Sequence, residues 1–431
     1  MRRPPLALAL SPARRAPSAR VRPLVFPPTR SLGRTTTTTT TTTTARRGVA
    51  TLAAATLGVS AVIAAGGWAA AAVYASKMLN RSRARWFTDR FVLSPESLRM
   101  PFRSIALVTE DMVRLEGWYI EQTVRGKPSE RVVLCCAPYY HDKSTLLAVA
   151  RALWDSGHSV LLFDFRTFAP EKTGHETIGY LELRDARAAL AWLRENKPPG
   201  AKIGLMGCSM GGAMALTLAE EADDDIVGVA TDCAFCSLKD VVRHYVRLHV
   251  SHAALEPAAD LFVETVARVN ALWYGYELDA VGPEKNLHNL RVPLLVIHSA
   301  NDSVVPVSQA YKIFEGAAAP REHRRLIVVP DAEHIGSFFL DEIAYSKRIV
   351  AFLDDCFDHA SKRTALRSAA NLAAATNAPP GTVVSEGPGD VPAANAAPSS
   401  RQSGALRAGD QPRGGRPSPP TERAQSAASS H

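Results

Sequence analysis

No acidic residue precedes Asp89, although thirteen Arg and one Lys do. No charge of either sign lies between Gly48 and Ser76. Cysteine is scarce, with six in 431 residues. Each shortage excludes something. Because acids are missing early, the net charge of +8 belongs to the ends: residues 1–88 carry +14, residues 360–431 carry +4, and the stretch between carries −10. An acidic middle offers no footprint for a phosphate backbone, so no nucleic-acid partner is expected. Four of the six cysteines lie in or beside apolar runs, where a free thiol packs as a small hydrophobe. Cys233 and Cys236 form a C-x-x-C pair, but no second ligand pair at metal spacing accompanies it. Neither a metal nor a cofactor is expected.

The missing charge between residues 48 and 76 reads as a membrane span, because the run exceeds the ~20 apolar residues that a bilayer needs. Trp68 and Tyr74 near its end suit an interface. Basic residues flank both ends, so orientation stays open: Arg46 and Arg47 before, Lys77, Arg81, Arg83 and Arg85 after. The expected localisation is a single-pass membrane protein, with the membrane as its partner through residues 48–76. Two alternatives stand beside it. One is a twin-arginine export signal led by Arg46-Arg47 and cleaved near Ala75. The other is an organelle transit leader, since residues 1–47 are acid-free and contain Arg and Ser. Those 47 residues, with an unbroken threonine run from Thr35 to Thr44, read as a disordered basic leader. Residues 77–100 read as a linker. Residues 360–431 are Ala, Pro, Gly, Ser and Arg without hydrophobic periodicity, and read as a disordered tail.

Between linker and tail, residues 101–359 read as one domain. Arg103 to Thr109 and Val113 to Glu121 alternate apolar and polar across Glu110-Asp111, the pattern of a hairpin. Continuous apolar runs begin at Arg131, Ser159, Lys202, Ile226, Pro293 and Arg325, and suit strands buried on both faces. Helical spacing falls between them at 144–156, 177–196, 211–221, 311–315 and 340–357. Strands alternating with helices predict an α/β fold with a mostly parallel sheet covered on both faces. Residues 237–278 interrupt the alternation. They are mostly helical, broken at Pro257, and carry Phe262, Trp273, Tyr274 and Tyr276. They are the candidate lid, and Trp273 and Tyr274 are expected to set the size of the group that it covers.

One short stretch organises the domain. The run Lys202–Cys208 leads into Gly207-Cys208-Ser209-Met210-Gly211, a G-x-S-x-G pattern at a strand-to-helix transition. That is the form of a nucleophile elbow, in which the serine stands at the tip of a sharp turn. A serine hydroxyl needs a base, and the base needs an orienting group. Elbow hydrolases supply them in the order Ser, acid, His. Asp302 follows the strand at 293–298, and His334 follows the strand at 325–329. Both therefore stand at the carboxyl ends of strands, where open α/β sheets bind ligands. Ser209, Asp302 and His334 are the candidate catalytic residues. Asp331 and Glu333 compete for the acid role but share the loop of His334, where they are expected to be solvated. His298 is expected to pack behind the site. Backbone N–H groups of Met210 and Tyr139 are the candidate oxyanion hole.

These pieces resemble the α/β-hydrolase superfamily from about Phe102 to Phe357, and within it bacterial membrane-anchored esterase-like or serine-aminopeptidase-like members. The matching segments are Thr109–Tyr119, Phe163–Arg166, Gly207–Gly211, Val292–His298 with Asp302, and Ala332–His334. The resemblance implies an eight-stranded, mostly parallel sheet with helices on both faces and a helical lid. It implies a serine hydrolase cleaving carboxylic esters through an acyl-enzyme, with Asp164 and Arg166 structural. A peptidase or a thioesterase would use the same residues. Members of the superfamily usually carry His-Gly where this chain has Ala137-Pro138. That departure keeps open a reading of another class, a membrane-bound scaffold with weak catalysis that binds a partner or a lipid.

Overall fold

The computed structural model describes residues 41–80, 93–169, 176–221, 223–250 and 253–376. The leader before Thr41 and the tail beyond Thr376 lie outside the described residues. The chain divides into two units, residues 1–367 and residues 368–431. Of the second, the described part, 368–376, is helical.

Eight strands form one sheet: β1 (Arg103–Val108), β2 (Arg114–Ile120), β3 (Arg131–Cys136), β4 (Ser159–Phe163), β5 (Lys202–Cys208), β6 (Ile226–Asp232), β7 (Leu294–Ser299) and β8 (Arg324–Val329). Their order is β1-β2-β4-β3-β5-β6-β7-β8. The pairs from β4 to β8 are all parallel, and β2 runs against its neighbours on both sides. Successive side chains of β3 alternate between two cores. Val132, Leu134 and Cys136 join one, while Val133 and Cys135 join the other. That alternation is the pleat of a strand covered on both faces, and it is why β3 reads as continuous apolar sequence.

The helices are α1 (Thr41–Leu79), α2 (Leu147–Asp155), α3 (Glu182–Asn196), α4 (Met210–Glu220), α5 (Leu238–Leu248), α6 (Glu256–Tyr274), α7 (Ser308–Gly316), α8 (Ser337–Leu340) and α9 (Glu342–Thr376). Several boundaries differ from expectation. The expected leader ends early, because α1 already begins at Thr41; once an apolar run nucleates a helix, each further residue adds cheaply. The expected tail starts late, because α9 continues to Thr376. Residues 361–376 are rich in Ala, Leu and Arg, strong helix formers, with no Gly or Pro among them. The expected linker is partly built into the domain, since Asn80, Pro95 and Met100 are buried. α3 starts at Glu182 rather than Thr177. The buried Glu182 carboxylate accepts from Thr177 N, Gly179 N and Thr177 Oγ1, which holds those residues as a turn. Pro257 does not break a helix; it stands in the first turn of α6, where its missing N–H is harmless.

Candidate active site

The elbow is visible in the backbone. Ser209 sits between β5 and α4 at φ 52°, ψ −120°, a conformation that costs a non-glycine residue about 1–3 kcal/mol. Its amide donates to Asp232 O (2.8 Å) and its carbonyl accepts from Ala213 N (3.0 Å), which hold the turn. Glycine is required on either side because the backbones nearly touch. A Cβ at Gly207 would strike the carbonyl of Gly211, and one at Gly211 would strike the carbonyls of Cys136 and Ala137. The signature in the sequence is therefore a steric consequence of the turn.

Three strand ends bring the expected side chains together. Ser209 follows β5, Asp302 follows β7 and His334 follows β8. His334 Nδ1–H donates to Asp302 Oδ2 (2.7 Å), and Ser209 Oγ–H donates to His334 Nε2 (3.0 Å). A carboxylate only accepts, so it sets this tautomer and leaves Nε2 with its lone pair toward the serine. Asp302 is held on its other side, where Oδ1 accepts from Val304 N (2.9 Å) and Val305 N (2.7 Å). Burial alone raises the Asp302 carboxyl, but the hydrogen bonds from His334 and these two amides outweigh it and leave it below its usual value. Asp302 therefore stays ionised beside an imidazole that is about to gain charge.

Other residues fall where their chemistry suggests. His298 is fully buried, and its Nε2–H donates to Val305 O (2.9 Å), so it braces the loop that carries Asp302. Burial pushes it below the usual histidine range, which keeps it neutral. Asp331 and Glu333 are exposed. Burial drives the Cys208 thiol far up, so the residue beside Ser209 is no thiolate nucleophile. Cys233 Sγ lies within 4.8 Å of ligand atoms of Asp302 and His334. It donates to Ser299 Oγ and accepts from Ile335 N, both at 3.4 Å. Cys236 is also buried, which raises its thiol to about 12; both thiols pack as protonated, largely apolar groups. Asp164 pairs with Lys143, and Arg166 bridges Asp185 and Asp111, so both brace loops rather than face the serine.

Above Ser209 lies a cavity of about 1070 Å³. Met210 and Tyr139 share its wall with Ser209. The amide of Met210 opens α4 and has no partner within that helix. Tyr139 is tethered by its hydroxyl, which donates to Glu176 Oε2 (2.9 Å). Most of the rest of the wall is apolar and comes from α1, α5 and α6, with Ile178, Phe235, Val304 and Val305 from loops and His249 just past α5. Trp273 and Tyr274, expected to shape the pocket, do not line it; Phe262 does. Trp273 follows Phe262 by eleven residues, about 16 Å along the same helix, and its ring instead lies under Lys77 Nζ at 5.7 Å.

The sequence reading missed the joint between α1 and α6. Asn270, fully buried in α6, accepts from Asn80 Nδ2 (2.7 Å) and Ser76 Oγ (3.3 Å) and donates to Tyr276 O (2.9 Å). Tyr276 Oη donates in turn to Asn80 Oδ1 (2.9 Å). Its one signal in the sequence is an asparagine on an otherwise apolar helical stripe.

The prolyl oligopeptidase family matches residues 170–360, a span that contains all three triad candidates. Uncharacterized protein Rv2307c of Mycobacterium tuberculosis is 30% identical over 268 residues, which cover 61% of this chain and 83% of that protein. Uncharacterized membrane protein YNL320W of Saccharomyces cerevisiae is 22% identical over 250 residues, 58% of this chain and 78% of that one. Among solved structures, the esterase Pf2001 of Pyrococcus furiosus superposes with a TM-score of 0.50 at 22% identity, over 63% of this chain and 97% of that structure. That likeness speaks to the fold: six parallel strands, an antiparallel hairpin at one edge and an elbow at the end of β5. The chain belongs to the α/β-hydrolase superfamily, as a serine hydrolase of that fold.

Proposed function

We propose that this chain is a membrane-anchored hydrolase of carboxylic esters that works through Ser209, His334 and Asp302. The observation that carries the proposal is the unbroken hydrogen-bond chain from Asp302 through His334 to Ser209 Oγ, at the floor of an apolar cavity. Ser209 Oγ attacks the acyl carbon while His334 Nε2 takes its proton, and Asp302 stabilises the imidazolium that results. The amides of Met210 and Tyr139 receive the charge that develops on the carbonyl oxygen. His334 then protonates the departing alcohol. Water, deprotonated by the same nitrogen, cleaves the acyl-enzyme and frees the acid. α5 and α6 act as the lid over the acyl group.

Anchoring is supported by α1, whose segment Thr56–Leu79 is long and apolar enough to cross a membrane, and by the name of the yeast relative. An ester is preferred to a peptide because no Lys, Arg, Asp or Glu lines the cavity among the described residues, and a peptide would need partners for its backbone or termini. The test is labelling by a fluorophosphonate probe together with turnover of p-nitrophenyl esters and peptide p-nitroanilides. Labelling that is lost in Ser209→Ala, with ester turnover far above anilide turnover, is the expected result. A folded wild-type protein that neither labels nor turns over any ester would point to the non-catalytic scaffold instead.

A further inference from the structure

We infer that the ester taken by this site is a membrane lipid with a long acyl chain, which enters the cavity along the half of α1 nearest the catalytic domain. The inference rests on the proposed function and deepens it. Its basis is that the anchor helix is also a wall of the active site. Trp68, Ala71, Ala75 and Met78 line the cavity that holds Ser209. Their spacing of three and four residues puts them on one face of α1. The neighbouring face carries Ala72, Ser76 and Asn80, all buried. Ser76 and Asn80 bond to Asn270 of α6, and Trp68 Nε1 donates to Thr265 Oγ1 (3.2 Å) with its ring against Phe262 at 5.3 Å. The wall is thus fixed to the lid at both ends.

The described side chains of the helix before Trp68 are turned outward. Leu57, Val59, Val62 and Ile63 are 60–72% exposed. The charge-free residues 48–67 form about 30 Å of helix, the thickness of a bilayer core. Trp68 comes next, at the depth where tryptophan favours the interface. The span therefore ends where the cavity wall begins, with no linker between. Beside the cavity, α5 and α6 expose Tyr245, Leu248 and Leu261, with Leu255 between them. That is an apolar rim suited to a lipid surface and costly against water. An acyl chain moving from the bilayer along α1 stays in apolar surroundings until its carbonyl reaches Ser209. The described lining offers no Lys, Arg, Asp or Glu to a charged head group, which therefore remains at the mouth. The bond formed is Ser209 Oγ to the acyl carbon, and the bond broken is acyl carbon to alcohol oxygen. The alcohol leaves with the proton that His334 carried, and water completes the acid.

The experiment uses the full chain reconstituted in vesicles of ether-linked phosphatidylcholine, which offer no ester of their own. The substrates are p-nitrophenyl palmitate dissolved in the vesicles and p-nitrophenyl acetate in solution. Each buried methylene strengthens binding by roughly fourfold, so the wild type should favour palmitate in kcat/KM. Ala71→Trp places an indole in the cavity from an exposed position, and should lower the palmitate-to-acetate ratio by roughly tenfold or more. Fluorophosphonate labelling of each variant reports that the fold and the nucleophile are intact. Ala75→Trp is the second variant. If both variants label and both keep the wild-type ratio, α1 is not a wall of the acyl site and the inference is overturned. If the wild type labels but favours acetate, the lipid substrate is overturned while the hydrolase stands. If it neither labels nor turns over either ester, the proposed function itself fails.

Discussion

The floor and the roof of the cavity are built differently. The floor is three strand ends of one sheet, with Ser209, Asp302 and His334 held within hydrogen-bond reach by loops that are themselves hydrogen-bonded. The roof is three helices, α1, α5 and α6, joined by packing and by a small polar knot around Asn270. Bond-making geometry tolerates little error, and here it is carried by strand ends whose loops are tied by backbone hydrogen bonds. An apolar wall only has to exclude water and fit a chain. It can be made of packed helices and changed without touching the chemistry.

The floor should fail abruptly. Ser209→Ala or His334→Ala should each abolish nearly all ester turnover, and the double variant should be no worse, since the partners act as one unit. Asp302→Asn should cost roughly 10⁴ in kcat, as in the analogous protease case, because the amide supports the wrong tautomer. Steady-state ester assays with circular dichroism of each variant check this. A folded Ser209→Ala variant with full activity would break the comparison outright.

The roof should yield gradually and by position. Phe262→Ala should shift chain-length preference by roughly tenfold, whereas Trp273→Ala, outside the cavity, should leave it alone. A panel of p-nitrophenyl esters of increasing length separates the two. Asn270→Leu leaves Asn80 and Ser76 buried without their shared acceptor, at a cost of about 1–3 kcal/mol. The loss should appear as faster hydrogen exchange in α1 and α6, with β5 and β7 unaffected.

A smaller effect concerns pH. The Asp302 carboxyl lies below its usual value in the fold, so the stability it contributes is present above the unfolded pKa and is lost as pH falls through the lower folded one. Denaturant titrations should show a gap between wild type and Asp302→Asn that is constant from about pH 5 to 8 and shrinks below about pH 4. The smallest effect is Asp331→Asn. Asp331 is exposed at φ 59°, a conformation that asparagine accepts readily, so turnover should stay within about twofold of wild type. An inactive Asp331→Asn variant beside an active Asp302→Asn variant would reverse the assignment of the acid.

The difference between floor and roof is also a difference in what could be read beforehand. Ser209, Asp302 and His334 were legible because each ends a run of buried-strand sequence, and because Gly207 and Gly211 mark a turn that admits no side chain. Those signals are local. Residues 360–376 lack hydrophobic periodicity and so read as disorder, yet they are helical, because Ala, Leu and Arg favour a helix by propensity.

Sequence by itself determined the strands, the elbow and the places of Ser209, Asp302 and His334 at strand ends, since each depends on residues adjacent in the chain or on the two-residue period of a strand. Tertiary structure alone decided what covers the site. Asn80 meets Asn270 across 190 positions, and Trp68 meets Thr265 across 197. A helical repeat says which residues share a face, but not which partner that face meets. That choice is made by packing between distant segments, which is how a helix that reads as a membrane anchor also comes to wall the cavity that holds Ser209.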